Sequence, residues 1–298
     1  MKKTVEIINK NEINLTKESF NKATVTTCGN VIEVKNTTAK SQCQIKNLDK
    51  HTYALIKTGE IKNKKQNVKR IDNMRTIKKS QQQLRHLINS NMTEPERAIW
   101  TLTYAENMRN TKQAYDDFRK FIKRLRYRHG KKIEYIAAIE PQERGAWHFH
   151  VLLFFPEKAP FIENDTMEQI WGNGFTKTKD VNEDCDNFGA YLSAYLSNAE
   201  MTDAESKEKK YVKGSRLHFY PIGMKLFRCS KGIKSPIIEK MEENKLAELV
   251  ASKNLEQTFE RCYRIRFEKE TNDVDHDIFI IYRCFKKLKI YEQKLLAL

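Results

Sequence analysis

Three side chains within eleven residues have the types and spacing for metal chemistry. His148 and His150 flank Phe149, and in a β-strand residues i and i+2 point to the same face. Two imidazoles so placed form a two-point clamp for a divalent cation, while Phe149 turns toward a core. The apolar run Val151 to Phe155 follows, so the pair sits at the start of a buried strand. Glu140 ends the preceding apolar segment. If residues 141–145 (PQERG) form a hairpin turn, Glu140 lies across from His148. Two histidines and a carboxylate on one sheet face bind a divalent ion and leave positions open for substrate oxygens. Gln142 and Glu143 are rival third ligands, and the plain alternative for Glu140 is a turn carboxylate paired to Arg144. The plain alternative for the histidines is a packing pair. A structural zinc site is excluded, since it takes four closed ligands, usually with Cys. A His-x-His-x-Asp-His dinuclear hydrolase fails at position 152, which is Leu152.

The second set is Tyr191-Leu192-Ser193-Ala194-Tyr195. On a helix, residues i and i+4 share a face, so both phenols project to one spot. Leu192, Leu196 and Phe188 would dock that helix on a sheet, and the bland reading of the two tyrosines is packing as well. A phenol with pKa near 10 is a poor nucleophile at neutral pH. It becomes a competent one when a metal polarises a phosphate and cations stabilise the leaving charge.

These residues need elements to hold them. Arg97 to Tyr104 reads as a β-strand, rich in β-branched and aromatic residues after Pro95. Thr111 to Arg128 reads as an amphipathic helix with Tyr115, Phe118, Phe121, Ile122 and Leu125 on one face, stopped by Gly130. Strands follow at 133–139, 146–155 and 174–181, then a helix over 187–201. This order predicts an α+β fold with a central antiparallel sheet flanked by helices. Residues 57–86 carry ten Lys+Arg against Glu60 and Asp72. They read as a basic helix with a narrow apolar stripe, a phosphate-contacting segment through Lys64, Lys65, Lys69 and Arg70. The first 55 or so residues read as a small hairpin or irregular arm around Ala23 to Thr27 and Val31 to Val34. Beyond Pro236 the pattern predicts a helix at 237–253, strands at 258–267 and 277–285, and a short basic helix to Leu298. The division expected is 1–90, an N-terminal region; 91–235, the domain with the chemistry; and 236–298, a C-terminal extension.

The chain has 298 residues, with 55 Lys+Arg against 39 Asp+Glu and a formal net charge of +16. Such a surplus points to a polyanionic partner, nucleic acid first and an anionic membrane surface second. Apolar runs are too short to span a bilayer, and the interrupted start MKKTVEIINKNEINL does not read as a signal peptide. The six cysteines (Cys28, Cys43, Cys185, Cys229, Cys262, Cys284) are scattered without a CxxC. They read as reduced thiols of a cytoplasmic protein. No Walker A pattern is present, so no nucleotide cofactor and no fused helicase are expected.

Together the TLTY strand (Thr101 to Tyr104), Glu-x-Gln-x-Arg-Gly-Ala-Trp-His-Phe-His (Glu140 to His150) and Tyr191 to Tyr195 resemble the three motifs of HUH endonucleases. The likeness is to rolling-circle replication initiators of plasmids, phages and integrative elements, and it spans about residues 95–235. It implies a sheet related to the RNA-recognition fold, with His148, His150 and Glu140 holding Mg²⁺ or Mn²⁺. It implies that Tyr191 or Tyr195 attacks a phosphate of single-stranded DNA at an origin, leaving a 5′-phosphotyrosine and a 3′-OH for a host polymerase, with a host helicase unwinding. The family often places a lysine beside the second tyrosine, where this chain has Ala194 and Asn198. Lys209, Lys210, Lys213, Lys225 or Arg228 would supply the missing charge, and His218 reads as a packing residue. Two other readings stand beside this one. The first is a non-catalytic DNA-binding regulator. The second is an HUH transposase or relaxase, the relaxase disfavoured because its tyrosine usually precedes the histidines.

Overall fold

The computed structural model describes residues 2–9, 22–39, 45–64, 74–93, 98–142, 144–180, 200–202, 209–211, 219–268 and 274–287. In chain order it has β1 (Lys2–Ile8), β2 (Lys22–Cys28), β3 (Val31–Thr37), β4 (Ile45–Asn47), β5 (Thr52–Leu55), β6 (Ile61–Asn63) and helix α1 (Met74–Asn91). Next come β7 (Ala98–Tyr104), α2 (Thr111–His129), β8 (Glu134–Pro141), β9 (Trp147–Phe154), α3 (Asn164–Trp171) and β10 (Gly174–Asp180). The rest are β11 (Glu200–Thr202), β12 (Lys209–Tyr211), β13 (Phe227–Cys229), β14 (Ile237–Glu242), α4 (Glu243–Ser252), β15 (Leu255–Glu268) and β16 (Val274–Lys287). The fold is α+β, as the sequence predicts. The chain divides into two compact units, one of residues 1–66 with 236–298 and one of residues 67–235.

The unit of residues 67–235 holds a five-stranded antiparallel sheet in the order β10-β7-β9-β8-β13. Its strands have two apolar faces, so both must be covered. On one face α2 presents Ala114, Phe118, Phe121, Ile122 and Leu125, all buried. They pack on Leu102, Ile139, Phe149, Val151 and Leu153, with Met167, Ile170 and Trp171 of α3 completing the core. The rings of Phe118 and Phe149 stack with centroids 5.0 Å apart. Asn110 caps α2, its side-chain oxygen accepting from the Lys112 and Gln113 amides. On the other face α1 lays Leu84, Leu87 and Ile88 against Ile136, Ala138, Leu152 and Phe154.

In the unit of residues 1–66 and 236–298, a six-stranded sheet runs β1-β15-β16-β3-β2-β14. Helix α4 places Leu246 against Ala23, Val25, Ile32, Val34 and Phe285 on one of its faces. Arg283 closes that core at its edge, donating to both oxygens of Glu243 at 2.6 and 3.0 Å and to Asn36 Oδ1 at 2.8 Å. A small sheet, β4-β5-β6, completes the unit.

Three expectations need correction. The basic helix over 57–86 is not continuous. Residues 57–64 are a turn and strand β6, because Gly59, at φ +70, closes a hairpin with Leu55. Within the described part the helix runs from Met74 to Asn91. The helix over 237–253 is helical only from Glu243. Ile237 and Ile238 are β-branched residues next to Pro236, and they extend the sheet by pairing with Thr27 and Thr26 of β2. The N-terminal residues are no irregular arm, since β1, β2 and β3 build the six-stranded sheet with β14, β15 and β16. The helix over 187–201 lies outside the described residues except at its end, where Glu200 and Met201 are in strand β11. The terminal basic helix after 287 also lies outside them.

Candidate active site

The site begins with the β8–β9 hairpin. Its turn closes through Gln142 N–H to Ala146 O and Gly145 N–H to Gln142 O, both 2.8 Å. Gly145 sits at φ +83, and an added Cβ would come within 3.2 Å of Arg109 and Phe219 side-chain atoms. Glycine is therefore needed here for backbone and for space. This turn sets the register: Glu140 pairs with His148, and Ala138 with His150. On the other side of β9, Thr103 pairs with His148 and Thr101 with His150.

The pleat then separates the two faces. Phe149, Val151 and Leu153 enter the α2 core, while His148 and His150 share the α1 face with Leu152 and Phe154. The α1 cluster includes Ala138 and Leu152 but not Glu140, His148 or His150. The three polar side chains occupy the end of that face nearer the hairpin turn. The imidazole centroids lie 4.7 Å apart. His150 Nε2 is 3.1 Å from Glu140 Oε2, with these side chains 12% and 16% exposed. His148 Nδ1 is 3.0 Å from Thr103 Oγ1, while Gln142 Nε2 stands 3.5 Å from the same nitrogen. Two imidazoles and a carboxylate, brought together on one half-buried face, are a donor set that suits a hard or borderline divalent cation. Their contacts differ from a closed cluster. Among the described residues no group of three His, Cys, Asp or Glu is set as it stands to hold an ion. Glu140 is engaged with His150, so side-chain rotation must accompany any binding.

The surroundings fix this end of the sheet. Tyr104, the last residue of the TLTY strand, is buried and donates to Asp117 Oδ2 at 3.1 Å, and Asp117 Oδ1 accepts from Gln113 at 2.8 Å. Burial, reinforced by the Asp117 carboxylate, drives the Tyr104 phenol far above its ordinary pKa of 10. It is a held core group. Trp171 Nε1 donates to Thr103 O at 3.1 Å and Trp147 Nε1 to Arg109 O at 3.0 Å. Arg144 donates to Tyr104 O at 3.0 Å and to Gln142 Oε1 at 3.3 Å, and its own carbonyl accepts from Arg109 at 2.6 Å. Two exposed guanidinium groups thus stand at the turn beside the histidines. Sequence reading weighed Arg144 only as a partner for Glu140, and it passed over Arg109 and Thr103. Thr103 could have been found by counting along TLTY to the position that must pair beside His148.

Tyr191, Tyr195, Lys213, His218, Lys65, Lys69, Arg70 and Glu143 lie outside the described residues. Lys209 and Lys210 belong to β12, which pairs with β11. Lys64 donates to the Asp49 carbonyl in the small sheet of the other unit. Lys225 and Arg228 are exposed, and the Arg228 guanidinium lies 3.5 Å over the ring of Tyr115, whose hydroxyl donates to Lys225 O at 3.1 Å. They line a cavity of about 600 Å³ with Ser80, Gln83, Tyr135 and Phe227 at the β13 edge. The described cysteines (Cys28, Cys229, Cys262 and Cys284) are free thiols. No described helix is long and apolar enough to cross a membrane.

No curated protein and no solved structure matches this chain. One family model does, and its match covers the TLTY strand, Glu140, both histidines and both tyrosines. Residues 97–200 match the replication-associated protein family named for ORF2, consistent with a rolling-circle replication initiator.

Proposed function

We propose that the chain nicks and rejoins single-stranded DNA at a replication origin, through a tyrosine nucleophile and with a divalent cation, Mg²⁺ or Mn²⁺. The observation that carries this reading is the register of the hairpin. It puts Glu140 opposite His148 and brings His150 within 3.1 Å of Glu140 on one sheet face. The family match supports replication as the setting.

When bound, the cation would be held by His148, His150 and Glu140, and it would withdraw charge from the scissile phosphate. The protein's own residues do the rest. Thr103 fixes the His148 ring. In the tautomer where Nδ1–H donates to Thr103 Oγ1, the lone pair stays on Nε2, the usual arrangement of a ligating histidine. Arg109 and Arg144 offer positive charge at the turn for the DNA backbone. Tyr191 or Tyr195 loses its phenolic proton and its oxygen attacks phosphorus. The P–O3′ bond breaks, the 3′ oxygen takes a proton, and a 5′-phosphotyrosine remains. A 3′-hydroxyl attacking that phosphotyrosine reverses the step and rejoins the strand, so no nucleoside triphosphate is consumed.

The test is incubation with a randomised single-stranded oligonucleotide pool and Mn²⁺, followed by denaturing electrophoresis. A covalent adduct that chelator abolishes is expected. The double variant Tyr191→Phe with Tyr195→Phe should retain binding and lose the adduct. Salt-sensitive binding without adduct or metal response would leave a non-catalytic DNA-binding regulator.

A further inference from the structure

The six-stranded sheet has a second face, opposite the one that α4 covers. Its members follow from register. Arg261 of β15 pairs with Tyr282 of β16, Tyr282 with Lys35 of β3, Lys35 with Thr24 of β2, and Thr24 with Lys240 of β14. These five residues form one row across five strands, alternating with the Val25, Val34 and Phe285 positions that enter the α4 core. At about 4.8 Å per strand the row spans roughly 19 Å. Arg261 and Lys240 are exposed, and Thr24, Lys35 and Tyr282 half-exposed. Beside it Tyr263 meets Tyr282 edge to face, centroids 5.9 Å apart, and Lys35 Nζ lies 5.6 Å from the Tyr282 ring. Three cations and two adjacent phenol rings on an open sheet face are what a single strand needs: charge for its phosphates and ring surfaces for its unstacked bases. A duplex would hide its bases from these rings, and an anionic membrane would give them no stacking partner.

We propose that this face binds single-stranded DNA, as a second contact separate from the nicking site. It goes beyond the nicking reading and holds whether or not the chain cuts DNA. Base–aromatic stacking tolerates any sequence, so the contact would hold the strand without reading it.

The test uses the full chain, with chelator present so that no cleavage occurs. A 20-residue oligonucleotide containing 5-iododeoxyuridine is bound and irradiated, and the crosslinked peptides are identified by mass spectrometry. Crosslinks at Tyr263 or Tyr282 are expected. In a salt titration read by fluorescence anisotropy, the triple variant Lys35→Ala, Lys240→Ala, Arg261→Ala should lower the slope of log K against log [salt] by about 2, from about 0.7 per lost phosphate contact. Tyr282→Ala should weaken binding by about tenfold. Crosslinks confined to residues 67–235 would overturn the proposal, and this readout needs no variant to fold. An unchanged slope in a folded triple variant would also overturn it. So would variants that abolish self-association and leave oligonucleotide binding intact, since the face would then join two copies of the chain. Failure of the nicking reading shows instead as a missing covalent adduct with these crosslinks unaffected.

Discussion

Replacing Thr103 by Val keeps shape and volume near His148 but removes the hydroxyl that lies 3.0 Å from Nδ1. The consequence can be worked from the contacts. Gln142 Nε2 then remains beside Nδ1 at 3.5 Å, the outer limit of a hydrogen bond. That amide, as donor, favours the opposite tautomer, with the proton on Nε2 and no lone pair there for a metal. Loss of such an outer partner typically weakens metal binding 10- to 100-fold, or about 1.4–2.7 kcal/mol. The cost to folding is smaller, about 1 kcal/mol for one half-buried hydrogen bond. The assay is a Mn²⁺ titration followed by electron paramagnetic resonance of the free ion, with thermal unfolding measured in parallel. Thr103→Val should bind Mn²⁺ at least tenfold more weakly at nearly unchanged stability, and Thr103→Ser should restore affinity. Equal affinities in parent, Val and Ser forms would refute the reasoning, because the hydroxyl would then have no part in orienting the ring.

Other outcomes follow from the fold. Gly174 sits at φ +144 with an added Cβ only 2.3 Å from the Ala105 amide nitrogen and 2.5 Å from Thr103 O. Gly174→Ala should therefore cost about 3 kcal/mol or more, seen in chemical denaturation. Phe149→Ala removes a ring stacked on Phe118 and should cost about 3–5 kcal/mol by the same measurement. The Tyr104 phenol has its pKa raised in the folded state. Its stabilisation is complete below the unfolded value near 10 and is lost as pH rises beyond it, by at most about 1.4 kcal/mol per pH unit. Tyr104→Phe should accordingly flatten the alkaline fall in stability between pH 10 and 12.

The sheet of the replication-associated segment was legible because its strands alternate or run apolar between clear turn signals. PQERG announced the hairpin, and the i, i+2 rule then fixed which face His148, Phe149 and His150 take. The α2 face was legible for the same reason, since Phe118, Phe121, Ile122 and Leu125 repeat at helical spacing. Buried polar groups were not legible. Asp117 lies on the apolar face of α2 and is satisfied by Tyr104 and Gln113, a partnership that only the packed sheet creates. The other unit was misread because its sheet draws strands from both ends of the chain. Long-range pairing of β3 with β16, or β2 with β14, leaves no mark on local periodicity. Ile237 to Glu242 reads as a helix start until β2 is there to pair with it. Lys57 to Asn63 has the charge of a helix face but the Gly59 turn of a hairpin.

The central claim is that one of two phenols becomes covalently joined to DNA. The most direct measurement is mass spectrometry of proteolytic peptides from the full chain trapped on single-stranded DNA in Mn²⁺. The account predicts a peptide carrying a nucleotide through its 5′ phosphate on Tyr191 or Tyr195. A nucleotide on another residue, or efficient nicking with no covalent peptide, would contradict it.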